Sequence, residues 1–346
     1  MDAIEVGVLG ATGVVGQQFV TRLARHPWFK LTWLAASERS EGKAYGEVAP
    51  WRLASPMPGQ FAPKVVQACV PGRGPKVVFS GLDASVAGDI EAAFAAAGHI
   101  VVSNARNFRM DPLVPLLVPE VNADHLAIIE EQRKAKGWTG AIVTNPNCST
   151  VVLALALAPL KAFDIRKVIV STMQAVSGAG YPGVASLDIL GNVVPFIGGE
   201  EEKMETETLK ILGRDLGRTH HRAIISAHTN RVPVIDGHTM TVSVELAERP
   251  SVVQVTSAIK NFAGRPQELW LPSAPQPPIV VMDAPNRPQP RLDADLGAGM
   301  AIAVGRIRPC PVLTTRFVAL GHNTIRGAAG AAILNAELMH SEGLFQ

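Results

Sequence analysis

The stretch TNPNCSTVVLALALAPL places Cys148, one of three cysteines in 346 residues, at the first turn of a strongly apolar helix. Asn145 and Asn147 are helix-start residues, and Pro159 ends or kinks the helix. From Ser149 to Ala158 the segment is apolar nearly all round, which predicts a buried helix. A thiol at its start sits beside free backbone N–H groups and the positive end of the helix dipole, and both favour thiolate. A small buried hydrophobe is the commoner fate of a free cysteine, and this stretch alone fits either reading. A second stretch, GATGVVG at residues 10–16, follows an apolar strand and opens a helix. Glycines at these spacings let the backbone turn tightly and bring a pyrophosphate to the helix N-terminus. Gly10, Thr12, Gly13, Val14 and Gly16 are therefore candidate cofactor contacts. A nicotinamide cofactor with one thiol at a helix start points to aldehyde oxidation through a thioester. That chemistry needs a base beside the thiol, a group to orient the substrate, and cations for its anionic parts.

The cofactor type turns on the end of the second strand, AASERSEGK. Glu38 suits a ribose 2′-hydroxyl, whereas Ser37, Arg39 and Ser40 suit a 2′-phosphate, and NADP is the expectation. A short-chain reductase or epimerase would add a lysine four positions after a tyrosine. The only tyrosines are Tyr45 and Tyr181, followed at that spacing by Ala49 and Ala185. A net charge of +2 gives no footprint for nucleic acid or an acidic membrane surface. No signal peptide or spanning segment stands out, and Cys69, Cys148 and Cys310 are too scattered for a disulfide framework or a zinc site. A reducing, cytoplasmic setting, no metal, no nucleic acid and no membrane are expected.

These residues must be held by a frame, and the frame is legible in the order of elements. The first half alternates strands (4–9, 31–37, 76–82, 99–104) with helical stretches, which argues for a parallel sheet covered by helices. After Ala162 longer alternating strands take over at 166–176, 222–234, 238–248, 300–308 and 314–321, which reads as a mixed sheet in a second α+β domain. The Pro-rich run 271–291 reads as a surface excursion, and a last helix from about 323 to 338 as a return to the first domain. The expected division is 1–147, with the C-terminal helix from about 322 to 346, against 148–321. Cys69, in an apolar strand, and Cys310, between prolines, read as structural.

Five motifs in order, GATGVVG, NPNCST, QAVSGAG, EEEK and RVPVIDGH, resemble the aspartate-β-semialdehyde dehydrogenase family, in its archaeal and fungal form, from Gly10 to about Ala329. The resemblance implies an N-terminal Rossmann-type domain, a C-terminal catalytic and dimerisation domain with a mixed sheet, and a homodimer or homotetramer. It implies NADP(H)-dependent reduction of β-aspartyl phosphate to aspartate semialdehyde, reversible with inorganic phosphate as co-substrate, in lysine, threonine and methionine biosynthesis. By the same resemblance Cys148 is the nucleophile, His238 its acid/base, and Gln174 the group that orients the carbonyl. Arg231, seven residues before His238, would hold the substrate carboxylate. Glu200 would meet the substrate amino group and Lys203 the phosphate, with Asn147 also at the substrate. Arg109 matches the family's phosphate-binding arginine, although Arg106 lies three residues away. Ser177, Gly178 and Asn323 would approach the nicotinamide. A malonyl-CoA reductase shares the Cys–His chemistry, an N-acetyl-glutamyl-phosphate reductase fits the RVPV–His spacing less well, and an NADP- or redox-sensing relative without turnover is the rival from another class.

Overall fold

In the computed structural model, which describes residues 3–345, the alternating first half forms six parallel strands. They are β1 (Ile4–Leu9), β2 (Phe29–Ala36), β3 (Gln67–Ala68), β4 (Val77–Ser80), β5 (Ile100–Ser103) and β6 (Ala141–Thr144). Their order in the sheet is β3-β2-β1-β4-β5-β6, so the direction of winding reverses between β1 and β4. That reversal is where an open α/β sheet leaves a crevice at the carboxyl ends of its strands. β4, β5 and β6 are buried on both faces, as strands covered by helices on each side must be. β6 was not expected, and an apolar strand expected at Cys69 is the two-residue β3 just before it. β3 has two residues, too few to show a period, and β6 is a short apolar run that periodicity alone does not separate from a buried helical segment. Cys69 lies just past β3 rather than within a strand.

The described residues up to Leu117, together with Asp124–Asn145 and those from Ala328 onward, form one compact unit. Val118–Ala123 and Pro146–Gly327 form the other. The change of unit thus falls at 145/146, two residues before the expected 147/148, and the chain re-enters the first unit at Ala328 rather than near 322. The final helix, Gly330–Ser341, is preceded by a π-turn over Ile325–Ala329 and is buried on every side as far as Met339. A helix buried all round in this way packs as core rather than as a surface element, with Asn335 and Glu337 hydrogen-bonded inside it.

The second unit is built on a mixed sheet of β7 (Ile165–Gln174), β8 (Ile224–Arg231), β9 (His238–Leu246), β10 (Ile279–Met282), β11 (Ile302–Pro309) and β12 (Thr315–Gly321). The order is β10-β11-β12-β9-β7-β8, with β9 antiparallel to both β7 and β12. Val168, Val170 and Thr172 of β7 face the core, while Lys167 and Ile169 face outward, the alternation expected of a sheet covered on one side. The Pro-rich run is more than a surface excursion, because it carries β10, the edge strand that pairs parallel to β11. No helix among the described residues is long and apolar enough to cross a membrane.

One ion pair lies wholly inside this unit. Arg326 Nη1 and Nη2 donate to the two carboxylate oxygens of Glu120 at 2.7 and 2.6 Å, and both side chains are fully buried. Removing one partner strands the other charge away from water. Arg326→Met or Glu120→Ala is expected to cost about 3–5 kcal/mol, read from urea unfolding, while Glu120→Leu with Arg326→Met together costs less than either alone.

Candidate active site

Cys148 is the first residue of the helix Cys148–Leu157, whose remaining nine residues are all buried. Asn147 caps it: Oδ1 accepts from the N–H of Ser149 at 2.9 Å and of Thr150 at 3.3 Å. The Asn147 amide Nδ2 donates to both carboxylate oxygens of Glu200, at 2.9 and 2.8 Å. Asn147 was expected at the substrate; here its amide is engaged by the helix and by Glu200. Its backbone N–H donates to Glu207 Oε2 at 2.6 Å. Glu200 and Glu207 project from one helix, Glu200–Ile211, and Lys203 Nζ on the same face reaches Glu200 Oε1 at 2.9 Å. Gln174, the last residue of β7, points its amide to within 3.5 Å of Glu200 Oε2 and 3.4 Å of the Thr172 hydroxyl.

His238 opens β9 and is fully buried, with Nε2 3.3 Å from Cys148 Sγ. Its Nδ1 accepts the backbone N–H of Ala175 at 3.1 Å. Burial, aided by the positive charge of Arg231 and by His322, pushes the imidazole down to about 3, so the ring is uncharged at neutral pH. Arg231 ends β8 and donates from Nη1 to the Ala175 carbonyl at 2.7 Å. Burial lowers its pKa, and neighbouring Cys148 and Glu200 act the other way; a guanidinium remains charged. One residue, Ala175, therefore binds the imidazole through its N–H and the guanidinium through its C=O. Gly178 lies over both groups: a Cβ there would come 2.9 Å from Arg231 Nη1 and 3.0 Å from His238 Nε2. Ser177 Oγ accepts from Asn323 Nδ2 at 2.7 Å, and Asn323 Oδ1 accepts from the Gly237 N–H at 2.9 Å. Asn323 thus ties the turn after β7 to the start of β9.

The first unit carries the expected dinucleotide turn. Gly13 precedes the helix Val14–Leu23 and offers no side-chain cap, which leaves the helix start available to an anion. At Gly16 a Cβ would fall 2.2 Å from Gly10 O and 2.7 Å from Ala11, so only glycine allows the turn and helix to approach this closely. Ser37, Glu38 and Arg39 are exposed in the turn after β2, closed by the Ser40 N–H on the Ser37 carbonyl at 2.9 Å, and Ser40 itself is buried. This turn and cradle fit a dinucleotide. Arg109 is buried and donates to the Asn104 carbonyl at 2.8 Å. Cys69 Sγ donates to the Ala36 carbonyl at 3.5 Å and its pKa is raised by burial, while Cys310 accepts the Leu313 N–H at 3.3 Å. Among the described residues no group of three His, Cys, Asp or Glu is placed to hold a metal.

Three contributors escaped the sequence reading. Glu207 stands seven residues after Glu200, two helical turns along one face, a spacing that carries the signal. Gly327, where a Cβ would come 2.6 Å from Cys148 Cβ, lies in the π-turn. The Ala175 peptide acts through its backbone, and side-chain identity has no means of showing that.

The chain matches the family model described as Semialdehyde dehydrogenase, NAD binding domain, over residues 5–129, and Semialdehyde dehydrogenase, dimerisation domain, over residues 157–326. It is 53% identical to the aspartate-semialdehyde dehydrogenase of Methanothermobacter thermautotrophicus, covering 97% of this chain and 99% of that one. Identity to the aspartate-semialdehyde dehydrogenase of Cryptococcus neoformans is also 53%, over 99% and 98% of the two chains. The crystal structure of aspartate semialdehyde dehydrogenase with NADP from Candida albicans superposes with a TM-score of 0.91 at 44% identity, covering 99% of this chain and all of that one.

Two outcomes test the geometry. Gly178→Ala should displace His238 and Arg231 from the sulfur and slow alkylation of Cys148 by iodoacetamide about tenfold, the effect of losing one hydrogen bond to a charged group. An unfolded imidazole binds a proton near 6.5, whereas folded His238 resists until about 3. Its stabilising contribution is complete above pH 6.5 and lost as pH falls towards 3. Urea midpoints across that window should therefore fall less steeply in His238→Gln than in the wild type.

Proposed function

Since the chain belongs to the aspartate-semialdehyde dehydrogenase family, we propose that Cys148 is the nucleophile of that family's reaction and that His238, Gln174, Arg231, Glu200 and Lys203 surround its substrate. The reaction is the reversible, NADP-dependent interconversion of β-aspartyl phosphate with aspartate semialdehyde and phosphate. The observation that carries the site assignment is the 3.3 Å approach of His238 Nε2 to the sulfur at a capped helix start.

In the reductive direction the Cys148 thiolate attacks the acyl-phosphate carbon. A C–S bond forms, the C–O bond to phosphate breaks, and phosphate leaves with the electron pair. NADP(H), when bound, supplies or accepts the hydride. Collapse of the resulting alkoxide breaks the C–S bond, releases aspartate semialdehyde and returns the thiolate. Arg231 is suited to the substrate carboxylate, since its guanidinium is buried and aimed by the Ala175 carbonyl. Glu200, beside Lys203 and Asn147, suits the substrate ammonium, and Lys203, the more exposed of the pair, suits phosphate. Gln174 would orient the carbonyl. Arg109, or Arg106 beside it, is a further phosphate candidate. The residue 10–16 turn would hold the pyrophosphate, with Ser37, Arg39 and Ser40 at the 2′-phosphate and Ser177, Gly178 and Asn323 at the nicotinamide. Neither a malonyl-CoA reductase nor a sensing protein is favoured by the relatives.

The second unit's family domain is a dimerisation domain. A homodimer or homotetramer is the assembly we assign, and the outward face of its sheet, with Ile169 and Ile224 exposed, is the natural contact. Three free thiols suit a reducing cytoplasm. Cys148→Ala should abolish phosphate-dependent NADP reduction by aspartate semialdehyde while leaving NADP binding, read by calorimetry, unchanged. Turnover that survives this change removes the thiol from the mechanism.

A further inference from the structure

We infer that Glu120 and Arg326 are positioning residues for the reaction: their buried ion pair fixes the π-turn at Ile325–Ala329, so that Gly327 backs Cys148 and keeps its sulfur beside His238. The inference rests on the reading of Cys148 as the nucleophile given above. Arg326 Nη1 and Nη2 reach Glu120 Oε1 and Oε2 at 2.7 and 2.6 Å, and neither side chain has any exposure. Directly after Arg326 comes Gly327, where a Cβ would fall 2.6 Å from Cys148 Cβ and 3.0 Å from its Cα. The backbone of the turn is thus in contact with the residue that carries the sulfur. The sulfur itself stands 3.3 Å from His238 Nε2, a distance that any shift of Cys148 would change.

Stability does not account for the pair. Withdrawing a guanidinium and a carboxylate from water costs about as much as their attraction returns, and apolar residues of similar volume often serve as well. Arg326 Nε is also buried with no hydrogen-bond partner among the described residues, a further cost. What two parallel N–H···O bonds supply is geometry, since they set both distance and angle between the groups. Glu120 is the fixed side. Its short helix, Pro119–Asn122, packs against Arg265–Glu268 and against the Cys148 helix. Gly264 lies so close that a Cβ there would fall 2.5 Å from Glu120 Cα, and the Val118 N–H is bonded to Asn122 Oδ1 at 2.8 Å. Arg326 is the side that needs fixing. A π-turn closes with an i→i+5 bond, is rare, and occurs mostly as a single turn, frequently at functional sites. Here that bond runs from the Gly327 N–H to the His322 carbonyl at 2.9 Å. Arg326 supplies a second tie, to a residue 206 positions away in the chain.

Kinetics of the full-length enzyme test this, on variants shown to be folded by circular dichroism. Glu120→Leu with Arg326→Met together removes the two-pronged bond and keeps an apolar fill. Its kcat for phosphate-dependent NADP reduction by aspartate semialdehyde should fall at least about tenfold, because small displacements of a reacting group are costly. KM for aspartate semialdehyde and for phosphate should not change, since Arg231 and Lys203 are carried by β8 and the helix Glu200–Ile211. Alkylation of Cys148 by iodoacetamide should slow in parallel. Arg326→Lys keeps the charge and loses the fork, and it should show the same pattern. Gly327→Ala leaves the pair intact and alters the contact with Cys148, and it should show that pattern again. A role in stability alone predicts full kcat in every variant that folds. A folded double variant with wild-type kcat and alkylation overturns the inference, as does an effect confined to KM. Should the double variant not fold, Arg326→Lys and Gly327→Ala decide, and wild-type kcat in either overturns it. These outcomes are separable from the Cys148→Ala assay. Turnover that survives Cys148→Ala removes the nucleophile reading, whereas its loss there with wild-type kcat in the double variant removes the positioning role alone.

Discussion

The active site depends on how one helix start is satisfied. The helix Cys148–Leu157 is almost wholly apolar and buried, so its free N–H groups lie where water offers little help. Asn147 accepts two of them and is held in turn by Glu200 and Glu207 through its own donors. Each of those carboxylates is itself buried, and a buried carboxylate needs donors as much as a helix start needs acceptors. The two demands close on each other. The sulfur at the first residue of the helix is positioned as a result, beside His238 Nε2 at 3.3 Å.

Charge is then arranged so that no group near the sulfur competes with it. Arg231 is the permanent cation, and the imidazole beside it is held neutral by burial and by that same cation. Lys203 balances Glu200 at the solvent side, where it keeps partial exposure. A neutral histidine next to a charged arginine is cheaper to bury than two cations. The backbone of Ala175 links the two groups, so their geometry is set by a strand end and not by side-chain rotamers.

The first unit follows a simpler rule. Its parallel strands bring Ser80, Ser103 and Thr144 into register at the carboxyl ends of β4, β5 and β6, beside the reversal of winding, and the glycine turn after β1 opens at the same end. Asn145 ends the path of β6 with a buried amide ladder: Nδ2 donates to Asn104 Oδ1 at 2.8 Å and to the Ala328 carbonyl at 2.9 Å, and Oδ1 accepts from Asn335 Nδ2 at 2.6 Å. That ladder explains why an asparagine, and not only a helix cap, stands two residues before Asn147. It ties the carboxyl end of β6 to the C-terminal helix, a contact 190 residues distant along the chain.

Sequence by itself determined the class of both folds, the helix start at Cys148 and the glycine turn, because these rest on local rules: alternation of strands and helices, an apolar run behind a capping asparagine, and glycine spacing. Its motifs also carried His238, Gln174, Arg231, Glu200 and Lys203, which hydrogen bonds of the second unit link to one another and to the start of the Cys148 helix. Tertiary structure alone decided that Asn147 serves the helix and Glu200, that Glu207 takes the Asn147 N–H, and that a peptide group at Ala175 orients both His238 and Arg231. The short strand β6, the edge strand within the prolines and the π-turn at Ile325–Ala329 were likewise invisible in the sequence. The physical reason is common to all of them. Backbone donors and acceptors are the same in every residue, and which of them meet depends on packing between segments far apart in the chain.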